Sequence, residues 1–167
     1  MRSNYEIRFL LTLTLSAVFA GCSLFLGDED AAKKNTHIKF EAPPSPYLRL
    51  SITTADTVWQ SQETGNSIAI NSTCKKNAEK NLSALENNLL LGIEHLKIIN
   101  ETSEKLDGQD ARRVVAEGKS EGVAIQADLV ILEKNDCTYD LAYIARKKTY
   151  ETEHGIFDKF LPGFHAP

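Results

Sequence analysis

Four apolar-rich runs between residues 97 and 146 are separated by nothing longer than a turn, and no other feature limits the fold as tightly. Asp107 and Gly108 divide residues 97–106 from 111–118, and this pair suits the left-handed backbone of a two-residue hairpin. Residues 119–122 then lead into residues 123–132, where Val123, Ile125, Ala127, Leu129 and Ile131 share one face. Gln126 and Asp128 occupy the other face. Residues 133–136 turn the chain into residues 137–145, where Tyr139, Leu141 and Tyr143 alternate with Asp140 and Ala142. Strands joined this closely are antiparallel, because a parallel crossover needs about a dozen residues or more.

Two more elements precede the meander. Trp59, Gln60 and Ser61 and residues 67–72 flank Glu63, Thr64, Gly65 and Asn66, which predicts a β-hairpin. A helix follows, with Asn81 as N-cap and Leu82, Leu85, Leu89, Ile93 and Leu96 at spacings of three and four. Leu90 widens that stripe, and Glu86, Asn87 and Glu94 are expected outside it. Near the end, Ile156, Phe157, Phe160, Leu161 and Phe164 predict a second helix, stopped around Pro162 and Gly163. The expectation is an α+β fold, an antiparallel sheet of about six strands flanked by two main helices. Cover on both faces of the sheet accounts for apolar residues on both sides of residues 123–132. The stretch Ala42, Pro43, Pro44, Ser45, Pro46 resists helix and central strand, and is expected to lie extended along an edge.

The N-terminus carries an address. Arg2 and Arg8 precede an uncharged run of 11 residues, 9–19, inside the range of a signal-peptide core and too short to span a bilayer. Ala20 and Gly21 then precede Cys22. This resembles the lipobox of bacterial lipoproteins, and the resemblance implies cleavage after Gly21 and a diacylglyceryl group on Cys22, with palmitate as a typical acyl chain. Two or more chains anchor a protein stably where one does not. Ser23 at the next position resembles the pattern for release to the outer membrane, which would place the protein in the cell envelope, facing the periplasm. The other reading is an ordinary secreted protein cut after the A-x-A-like stretch 17–20, with Cys22 left over.

The chain therefore divides into a signal peptide (1–21), a lipidated N-terminus and tether (22–35) and a single domain (36–167). Loss of Arg2, Arg8 and Glu6 moves the net charge from −4 to −5, which argues against nucleic acid as a partner. Cys74 and Cys137 form an even pair outside the cytoplasm, where a disulfide persists. Closing a loop of that length would stabilise by roughly 4 kcal/mol in the chain-entropy model. The other reading is two buried free thiols. Neither cysteine has a second cysteine or histidine at metal-ligand spacing, so no metal is expected.

The order of elements, with the stretches "WQSQETGNSIAINSTC" and "CTYDLAY" and the Leu-Asp-Gly turn, resembles a family of uncharacterised bacterial lipoproteins. Their folded part is similar to the PsbP-like α/β/α sandwich. The resemblance implies binding and assembly and brings no catalytic residues.

The residues themselves offer no reaction. His37, His95, His154 and His165 show no paired spacing, with His95 expected at the end of the first helix, and no nucleophile elbow, phosphate loop or dinucleotide fingerprint occurs. Asp140, in an apolar strand, must find donors. It either ties a turn or pairs with Arg112 or Arg113, or it serves as a general base or, with Asn71, in a polar cleft or a ligand or partner contact. Trp59, Tyr139 and Tyr143 are expected in the core, or lining a pocket for an apolar ligand. The expected function is a membrane-anchored, non-catalytic binding or assembly module for an unknown envelope protein, without a cofactor. The alternative is a carrier of a lipid or other apolar small ligand.

Overall fold

The computed structural model describes residues 32–75 and 81–167. Cys22 and the leader lie outside them. The elements are β1 (Tyr47–Leu50), β2 (Thr57–Ser61), β3 (Ser67–Cys74), α1 (Leu82–Leu89), β4 (Glu94–Leu106), β5 (Gln109–Ser120), β6 (Val123–Lys134), β7 (Cys137–Arg146) and α2 (Tyr150–Phe160). One antiparallel sheet of seven strands runs in the order β1-β2-β3-β7-β6-β5-β4. The meander pairs as expected. Asp107 and Gly108, Glu121 and Gly122, and Asn135 and Asp136 form the three turns, every one of these residues at positive φ.

The sheet has one strand more than the expected six. β1 follows the proline stretch directly and pairs with β2, Tyr47 opposite Ser61. Only Tyr47 of its four residues is buried, so a period of two never develops. The first helix is also shorter than its leucine spacing predicts. The spacing runs on through Gly92, whose φ of 89° ends helical backbone, and β4 begins at Glu94. Ile93 still packs on the sheet, but from the connecting segment, while Leu96 lies in the strand. His95 is therefore in β4, at φ 53°, and not at a helix end.

Each face of the sheet has its own core. On one face Trp59, Ile68, Ile70, Leu132, Tyr139, Leu141 and Tyr143 meet Phe157, Phe160 and Phe164 of the C-terminal segment. Trp59 packs edge-on against Phe160 at 5.5 Å, and Tyr139 against Phe164 at 5.6 Å. On the other face Leu90 and Ile93 cover Val114, Ala116, Ala127 and Leu129. The N-terminal strap joins the fold before residue 36. Lys33 exchanges backbone hydrogen bonds with Cys74, and Lys39 with His165. Residues 33–35, assigned from composition to the tether, are thus hydrogen-bonded to the sheet.

Candidate functional site

The cleft nearest the residues singled out from sequence lies under α1. Asn81 caps that helix, its side-chain oxygen accepting from the Ser83 and Ala84 amides at 3.0 and 3.4 Å. Glu86, expected to be exposed, is 4% exposed and faces the sheet. It pairs with Arg112 of β5, which also holds Glu101 of β4. The helix rotates Glu86 inward because Arg112 projects from the covered face, and two opposite charges together offset the desolvation that either would suffer alone.

Beyond this ion pair, α1 leaves a cleft of about 280 Å³ against β3 and β7, lined by Thr73, Lys75, Leu85, Leu89, Thr138 and Asp140. The β3–β7 register sets Asn71 directly opposite Asp140. The Asn71 amide donates to the Asp140 carboxylate at 3.1 Å, and Lys34 of the strap donates to the Asn71 carbonyl oxygen. Burial raises the Asp140 pKa, while the Asn71 hydrogen bond and the charge of Lys34 oppose that shift. Asp140 thus makes neither of the expected arginine contacts. Arg113 projects from the opposite face of the sheet and goes to Asp128, while Arg112 shares the face of Asp140 but stands two strands away, across Ile131, and goes to Glu86. A carboxyl held by an amide, with Lys34 and Lys75 beside it, can bind a donor.

Cys74 and Cys137 stand opposite each other at the end of β3 and β7 and are disulfide-bonded. Asn35 sits over this end, its side chain donating to the Tyr139 hydroxyl at 2.7 Å.

Two polar clusters on the α2 face went unread in the sequence. Asp128 is wholly buried. It accepts from Nε and Nη2 of Arg113 at 2.5 to 3.2 Å and lies 2.7 Å from Nε2 of His154. Arg113 also reaches Asp158 at 2.6 Å. Asp128, His154 and Asp158 could present ligand atoms within 4.8 Å of one another, but the guanidinium already bridges the two carboxylates. The donor set fits an arginine lock and not a metal ion. Asp128 hydrogen bonding raises the Arg113 pKa further. The sequence signal was an acid inside a strand apolar on both faces; its partner is visible only once the register is known.

Glu153, the second cluster, accepts from the Tyr47, Ser61 and Thr64 hydroxyls and the Asn66 amide at 2.7 to 3.0 Å. Burial pushes its pKa up, but the four hydrogen bonds outweigh burial and hold it below the ordinary range. Tyr47, buried beside Glu153, is pushed well up. The cluster ties the β2–β3 hairpin turn to α2.

A seven-stranded antiparallel sheet between two helices defines an α/β/α sandwich of the PsbP-like kind. The family model for PsbP-like proteins matches residues 33–165, and the chain belongs to that family. The solution structure of cyanobacterial PsbP (CyanoP) from Synechocystis sp. PCC 6803 aligns with a TM-score of 0.55 at 14% identity, over 89% of this chain and 99% of that one. LpqN of Mycobacterium tuberculosis, a protein involved in cell envelope biogenesis, aligns with a TM-score of 0.57 at 11% identity, over 84% of this chain and 86% of that one. At such identities the likeness is one of fold. No curated protein matches the sequence.

Proposed function

We propose that this protein is a non-catalytic binding module of the bacterial cell envelope, held at the outer membrane by a lipid on Cys22 and acting as an accessory or assembly factor for an envelope protein. The observation that carries this reading is how the buried charged groups are used. Asp128, Glu153 and Glu86 each hold partners that lock one element to another, so these three position the fold. Apolar side chains, by contrast, remain outside: Leu91 is 75% exposed, with Val123, Ile99 and Ile144 near half. The envelope role reported for LpqN supports the setting through the shared fold alone. Among the described residues no helix is long and apolar enough to cross a membrane.

The carrier reading draws on the cleft under α1. Its volume of about 280 Å³ lies just below the roughly 300 to 1,000 Å³ of ordinary ligand pockets, which is small for a lipid. Two measurements test the proposal. Cys22→Ala should move the protein from the membrane to the soluble fraction; an unchanged distribution refutes the anchor. Native mass spectrometry should show no adduct held in the cleft under α1, whereas a lipid-sized adduct lost on denaturation and abolished by substitutions at Leu85 and Leu89 would put the carrier reading first.

A further inference from the structure

The strap enters the sheet at Cys74, opposite Cys137. At the other end of β7, roughly 30 Å away at about 3.3 Å per residue, the strand gives way to the 3-10 turn Lys147–Thr149 beside the start of β6. A cleft of about 500 Å³ opens there, lined by Val123, Ala124, Arg146, Lys147 and Lys148. Its apolar ground continues along the sheet. The register sets Ile125 opposite Arg146, and Ile144, two residues before Arg146, projects from the same face. Val123 and Ile144 are 47% and 43% exposed.

Three consecutive cations border this ground in a chain of net charge −4. Lys147 is committed, its ammonium 2.6 Å from Glu117, and Lys97 approaches the same carboxylate at 3.5 Å. The nearby acid Glu117 is thereby occupied. Arg146 and Lys148 are exposed and have no acidic partner among the described residues.

We propose that this cleft binds small amphiphilic anions, molecules with one carboxylate-like head and an unbranched apolar tail. The head lies between Arg146 and Lys148, and the tail runs over Val123 toward Ile125 and Ile144. A guanidinium supplies two parallel donors to a carboxylate and an ammonium adds a point charge, so charge selects the head while the strand side chains take the tail. The site goes beyond the partner-binding reading and does not depend on the membrane anchor.

The test uses the water-soluble chain from residue 22 with Cys22→Ser, which retains every described residue, and sodium dodecanoate below its micelle concentration. Amide shifts in an NMR titration are expected to saturate and to centre on Val123, Ala124, Ile144 and residues 146–148. Arg146→Glu with Lys148→Glu should weaken binding by about tenfold or more, since two exposed ion contacts become repulsions. Dodecyltrimethylammonium, with the same tail and a cationic head, should leave these amides unmoved. Shifts centred on Leu85 and Leu89, equal affinity in the charge-reversed variant, or an equal response to the cationic amphiphile would overturn the proposal. So would silence with dodecanoate alongside binding to anionic vesicles, which would indicate a membrane-facing surface.

Discussion

Replacing Asp128 by asparagine removes the charge of a carboxylate that is wholly buried. The carboxylate accepts three contacts from Arg113, and His154 lies against it. Asparagine keeps the volume, but its amide turns a donor toward a guanidinium that can only donate. Arg113 would retain Asp158, whose side chain is 47% exposed and so holds the arginine weakly. Removing one partner of a buried pair costs about 3 to 5 kcal/mol; with Asp158 still present, the lower end, about 3 kcal/mol, is expected. For a domain of this size that corresponds to a fall in Tm of about 10 °C. Urea unfolding followed by circular dichroism, with the disulfide intact, should show a lower midpoint at unchanged slope. Replacing both residues, Arg113→Met with Asp128→Leu, should restore most of the loss, because no charge is then left unpaired. A loss below about 1 kcal/mol for Asp128→Asn, or a double variant as unstable as the single, would refute the lock.

Three further outcomes are expected. Glu153 is held below the ordinary glutamate range, so its contribution to stability is present above about pH 4.3 and fades as pH falls through the lowered folded value. Glu153→Gln should therefore destabilise at neutral pH by about 2 kcal/mol and flatten that part of the acid limb in a pH series of melts. A Cβ at Gly118 would meet Ile93 Cγ2 at 2.4 Å and the Glu94 carbonyl oxygen at 2.7 Å, so Gly118→Ala should cost about 1 to 3 kcal/mol through displacement of the α1–β4 connection, read as a lower urea midpoint. Thiol labelling of the denatured, unreduced chain should find Cys74 and Cys137 unreactive, and replacing both by alanine should lower stability by roughly 4 kcal/mol; two labelled thiols would contradict the bridge.

Much of the architecture was legible in the chain, and the reason is local. The turns at Asp107 and Gly108, and at Glu121 and Gly122, impose positive φ, and the alternation on either side carries the pairing. Asn81 and its leucines marked where α1 begins. What failed was local in a different sense: the leucine spacing carried past Gly92, and β1 buries too few side chains to show a period.

Sequence by itself determined the antiparallel meander and the two helical segments, because each depends on residues close together in the chain, and it supplied the even cysteine pair. Only the tertiary structure decided which charges meet. Asp128 finds Arg113 and His154, Glu86 finds Arg112, and Glu153 collects donors from β1, β2 and the hairpin turn. Those partners lie up to 106 residues apart, and a buried charge takes whichever opposite group the sheet register and helix rotation bring within reach. The same holds for the far cleft, where cations from the end of β7 and apolar side chains from the start of β6 become neighbours only because the two strands pair.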